Sequence, residues 1–114
     1  MNDKKLLPSF PRLPTKPLLK DFHKYCKDIV KIRGFDKEPI AELFMLFMEE
    51  CGELAKAARD TQVIKSGTHS KQRNLAHEAA DVFIYLLEIC NYFDINLEQA
   101  FREKEIINSK RTYK

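Results

Sequence analysis

Apolar side chains return every three or four residues through four successive stretches of this chain, a spacing that restricts it to helical folds. Leu18, Leu19, Phe22, Tyr25, Cys26, Ile29 and Val30 form the first stripe, and Gly34 supplies its stop. A second helix is expected from near Pro39 to about Arg59, striped by Ile40, Leu43, Phe44, Phe47, Cys51, Leu54, Ala55 and Ala58. Asp60 to about Lys71 is polar with Ser66-Gly67 inside, which predicts a loop. A third helix covers about Gln72 to Phe93, with Leu75, Ala79, Val82, Phe83, Leu86, Cys90 and Phe93 on its inner face. Asn96 followed by Gln99 has the spacing of a capping box and opens a fourth helix to about Lys110. With 3 Gly in 114 residues, a turn-rich β-sandwich or barrel is disfavoured. The expected protomer is all-α, of the four-helix-bundle type, with residues 17–114 as one domain.

Residues 1–16 follow other rules. Pro8, Pro11, Pro14 and Pro17 recur every third residue, the period of polyproline II, so this proline-rich arm should be extended. It suits either a PxxP ligand for a partner module or a strap packed on its own domain or a neighbouring subunit, and the strap is preferred. The charge of +3, from 20 basic against 17 acidic residues, is too mild to indicate nucleic-acid binding. No apolar run approaches the roughly 18–20 residues of a membrane span, and no apolar signal core follows the N-terminal lysines. Cys26, Cys51 and Cys90 are odd in number and lack CxxC spacing, which points to buried thiols in a reducing, cytoplasmic compartment.

The informative residues are acids. The second helix carries Glu49, Glu50 and Glu53, and the third carries Glu78 and Asp81. At about 100° per residue, Glu50 falls about 90° to one side of its apolar stripe and Glu53 further round. Glu78 and Asp81 bear nearly the same relation to theirs. If the two helices pack antiparallel, stripe to stripe, both acidic edges come to the same side and four or five carboxylates line one groove. A solvated, salt-bridged face would need cations three or four residues away. Of these acids, Glu50, Glu78 and Asp81 have none there, and only Glu53 finds Lys56. Two carboxylates about 6 Å apart repel by roughly 3 kcal/mol at an effective dielectric of about 20. Raised pKa values or a bound cation must relieve that repulsion. Oxygen donors alone select a hard ion, so Mg²⁺ is the natural guest, with Mn²⁺ as the substitute.

A di-iron carboxylate bundle would use Glu-x-x-His on two helices. Here the third positions after Glu50 and Glu78 are Glu53 and Asp81, and His77 precedes Glu78. The missing imidazoles favour a phosphate-handling site over iron. On the fourth helix Lys104, Asn108 and Arg111 share one face, with Lys110 and Lys114 nearby. Alone, such a stripe reads as charge complementing a helix C-terminus; beside an acidic groove it reads as a phosphate clamp.

EECGEL at Glu49–Leu54 followed by EAAD at Glu78–Asp81 resembles the EExxE…ExxD signature of the MazG-type all-α nucleoside triphosphate pyrophosphohydrolases, which include dCTP pyrophosphatase-like enzymes. RGFD ahead of the second helix, DVFIYLLEICNYFDINLEQAF and KEIINSKR are similar to that family too, so the likeness spans about Leu18 to Arg111 and omits the arm. The resemblance implies Mg²⁺-dependent hydrolysis of a nucleoside triphosphate to the monophosphate and pyrophosphate. It implies Glu50, Glu53, Glu78 and Asp81 as metal ligands, with Glu49 or Glu53 as the catalytic carboxylate that orients water or accepts its proton. Tyr85 would border the nucleotide, and Lys104, Asn108 and Arg111 would engage phosphates. Homodimers or homotetramers are also implied.

Gly52 would permit close approach of substrate or a helix, Cys51 would point inward, and His77 would sit at the surface. Base choice stays open: Phe22, Tyr25 and Phe35 are unranked candidates for stacking, and there is no Trp. The competing expectation is a non-catalytic helical assembly protein that tolerates Glu50→Gln or Asp81→Asn.

Overall fold

The four apolar stretches become four helices: α1 (Leu19–Ile32), α2 (Ile40–Val63), α3 (His69–Tyr92) and α4 (Leu97–Ser109). The computed structural model describes residues 7–63 and 69–111, with the backbone alone for 62, 63 and 69–73. No strand occurs among the described residues, so the protein is all-α. The Ser66-Gly67 break, Lys114 and the first six residues of the arm lie outside them. The chain divides into two compact units, one combining the segment up to Asp36 with the chain from Cys90 onward, the other spanning Lys37–Ile89.

In the first unit both long-range turns close by the same device. After α1, Gly34 adopts φ 75°; its amide donates to the Lys31 carbonyl at 3.1 Å and that of Phe35 to Val30 at 2.9 Å. This is a Schellman closure, which ends a helix by satisfying its last carbonyls. After α3 the same pattern recurs with Asp94 at φ 56°, the Asp94 amide donating to Asn91 and that of Ile95 to Cys90 at 2.8 Å. An L-residue pays steric strain in that left-handed region, where glycine does not. Asp94→Gly is therefore expected to stabilise the protein by about 0.5–1 kcal/mol and Asp94→Val to destabilise it, as read by urea unfolding.

At the start of α1, Asp21 Oδ2 accepts from the Leu18 amide at 2.8 Å. Asn96 caps α4 by accepting from the Gln99 amide at 3.1 Å. The expected reciprocal box does not form there, because the Gln99 side chain donates to Glu103 instead. Cys26, Ile29 and Cys90 are buried in this unit. The arm returns to the far end of α1, where the Arg33 guanidinium lies 5.7 Å from the centre of the Phe10 ring. The arm is not extended throughout: the Phe10 amide donates to the Leu7 carbonyl at 2.9 Å, closing a turn.

In the second unit the helices overrun the expected loop: α2 continues to Val63 and α3 begins at His69. Polarity alone does not break the helix here: Thr61 is accommodated by donating its hydroxyl to the Ala57 carbonyl four residues back at 2.9 Å. Ala57, Leu87 and Ile89 are buried, Leu87 completely. Every residue from Val82 to Cys90 is buried or half-buried, so α3 is enclosed on several sides and not along one stripe. Phe93, expected inside, is 51% exposed, and Phe44 is 44% exposed; Cys51 is half-buried, not fully inward.

Candidate metal and nucleotide site

Carboxylate oxygens of Glu50, Glu78 and Asp81 all lie within 4.8 Å of one another. Glu50 stands thirteen residues before the end of α2, and Asp81 twelve after the start of α3. At about 1.5 Å per residue these are rises of about 20 and 18 Å, and only five residues join the helices. Side chains so placed can touch only if the helices run antiparallel. That is the arrangement on which convergence of the acids depended.

Three acids form the close cluster. Glu53 is not among them, and it and Glu49 are exposed on α2, yet both act on Glu50 through their charge. The Glu50 carboxyl is pushed above its ordinary 4.5, first by burial and then by Asp81, Glu78, Glu53 and Glu49 in that order. Lys24–Asp28, Arg59–Asp60 and Arg102–Glu98 pair elsewhere; among the described residues no cation pairs with the three cluster acids. The donor set therefore fits a hard divalent cation: all oxygen, mutually repelling and lacking an internal counter-charge.

The sign of the Glu50 shift gives a pH prediction. A raised pKa means that the folded chain holds this proton more tightly than the unfolded one. The associated stability is present below 4.5 and is lost as pH rises through the raised folded value. Thermal melts in chelator should show wild type losing stability over that window relative to Glu50→Gln, with Mg²⁺ restoring it at neutral pH.

Tyr85, one turn beyond Asp81, is half-buried. Its phenol is pushed above 10.0 by burial first, then by Glu88, Glu50, Glu38 and Asp81. It shares the electrostatic field of the cluster. Glu38 escapes a helical-phase reading because it precedes α2, and Glu88 because it lacks the three-residue spacing of the acid motif. Gly52 faces open space, with nothing within 4 Å of where a Cβ would stand.

Lys104, Asn108 and Arg111 belong to the first unit. Lys104 and Asn108 line an open groove along α4 with Leu97, Ala100, Phe101 and Glu105. Asn108 Nδ2 donates to Glu105 Oε2 at 2.8 Å, while Lys104 and Arg111 are exposed. His77 is exposed, as expected. No helix among the described residues is long and apolar enough to cross a membrane.

A family model described as phosphoribosyl-ATP pyrophosphohydrolase matches residues 19–106. The match covers all five acids, Tyr85 and Lys104; Asn108, Arg111 and the arm fall outside it. No curated protein matches the chain.

Proposed function

The chain belongs to the phosphoribosyl-ATP pyrophosphohydrolase family, within the MazG-like all-α superfamily, and from that membership we propose a Mg²⁺-dependent nucleoside triphosphate pyrophosphohydrolase. Membership makes it a hydrolase of phosphoanhydride bonds acting on a nucleotide, so the non-catalytic reading gives way. The proposed reaction converts an NTP or dNTP to the monophosphate and pyrophosphate. The observation that carries it is the convergence of Glu50, Glu78 and Asp81 without a cation partner among the described residues.

Those three acids would hold the metal, with Glu53 as a further ligand from the adjacent turn of α2. A divalent ion there supplies Lewis acidity toward phosphate oxygens and water, and Mn²⁺ should substitute. Glu49 or Glu53, each exposed and able to reach solvent, orients the attacking water and accepts its proton. Tyr85 borders the nucleotide from one turn beyond Asp81, its ring half-buried. Lys104, Asn108 and Arg111 hold the phosphates and the leaving pyrophosphate. Assembly into a homodimer or homotetramer is supported by the exposed Met45, Met48, Phe101, Ile106 and Ile107. Three free cysteines suit a cytoplasmic enzyme.

The test is pyrophosphate release from a panel of NTPs, dNTPs and phosphoribosyl-ATP, with Mg²⁺, with Mn²⁺ and with chelator. Metal-dependent release from at least one nucleoside triphosphate is expected. Release from phosphoribosyl-ATP alone would replace the proposed substrate, and no release from any would refute the reading.

A further inference from the structure

We propose that His23 is a positioning residue whose imidazole anchors the first turn of α4 and so presents the Lys104–Asn108–Arg111 face to phosphate. The proposal rests on the phosphate-binding role given to that face above. Its basis is a closed set of hydrogen bonds inside the first unit. Asn91 Nδ2 donates to the His23 carbonyl at 2.9 Å, which fixes the orientation of that amide. Asn91 Oδ1 must then face His23 Nδ1, 2.9 Å away, and Nδ1 must carry the proton. Nε2 is left as an acceptor, and the Leu97 amide, the first of α4, donates to it at 3.3 Å.

One ring thus joins α1, the last turn of α3 and the start of α4. The bond matters to α4 because no residue of that helix is fully buried. A helix that begins one residue early or late turns its faces by about 100°. Anchoring the first amide fixes where α4 begins, and with it the direction of Lys104, Asn108 and Arg111. Asn96, capping the Gln99 amide, cannot do this alone, since it is tied to α4 and not to α1.

Two substitutions separate the halves of the device. In His23→Asn the amide sits where Nδ1 was, keeping the bond to Asn91 and losing the acceptor for Leu97. In His23→Gln the amide oxygen reaches the position of Nε2 and keeps that acceptor. With a nucleoside triphosphate and Mg²⁺, His23→Asn should raise KM about tenfold with kcat within about threefold, and His23→Gln should stay near wild type. Hydrogen exchange should quicken at Leu97 and the following turn in His23→Asn only, with Leu87 still protected. Ring ¹⁵N spectra of the unsubstituted protein should show Nδ1 protonated and Nε2 bare, a readout that needs no variant to fold. Equal behaviour of the two variants, or a proton on Nε2, overturns the proposal. Should the wild type hydrolyse no nucleotide, the exchange and ring spectra still decide whether His23 anchors α4.

Discussion

Removing a single charge from the cluster, by Glu78→Gln or Asp81→Asn, is expected to lower pyrophosphate release by about a thousandfold, a loss of several kcal/mol of transition-state stabilisation. Each substitution keeps the shape of the side chain and removes one of three negative charges whose oxygens lie within 4.8 Å of one another. The chelator-treated fold should not suffer, because Glu50 is repelled by both Asp81 and Glu78 and loses one of those penalties. The signature is therefore a dead enzyme whose metal-free melting temperature is unchanged or higher, with a Mg²⁺-dependent rise in melting temperature that shrinks or vanishes. Activity within tenfold of wild type would mean that the cluster does not hold the catalytic metal. A collapse of melting temperature would instead mark these acids as structural.

The largest expected effect on stability comes from Leu87→Ala, at about 2–5 kcal/mol. Leu87 has no exposed surface, and with Ile29 it is the largest fully buried side chain among the described residues. Enclosed as α3 is from Val82 to Cys90, neighbours on several sides limit how far the gap can close. Against a typical total of about 5–15 kcal/mol, that loss is a large share. Urea unfolding should move its midpoint accordingly, while Leu87→Met, which roughly conserves volume, should cost less than about 1.5 kcal/mol. A loss for the alanine variant below about 1 kcal/mol would contradict the enclosure of α3.

Leu87 also marks where the sequence runs out. A single apolar stripe identifies α3 as a helix but assigns Phe93 to the inside and passes over Leu87 and Ile89. Amphipathic phase assumes one buried face, and α3 has more than one. The ends of α1 and α3 differ in the same way. Gly34 announces its turn because glycine tolerates positive φ, whereas Asp94 takes the same conformation with no such residue to signal it. The acid cluster was legible because helical phase and missing cations are both sequence properties; the separation of Glu53 from the close trio depends on side-chain reach and is not. His23 was invisible for a related reason: its two partner residues lie 68 and 74 positions away.

The near-equal depth of Glu50 and Asp81 below the ends of their helices bears on how such a chain can change length over evolution. One residue inserted between Glu50 and Val63, or between His69 and Glu78, turns the two acid edges about 100° apart and shifts them about 1.5 Å. Residues added or removed between the two helices alter neither phase. Between Glu50 and Glu78, then, added length is compatible with the cluster only in the connector, and an ion shared by the two arms of the hairpin would hold both to a common gauge.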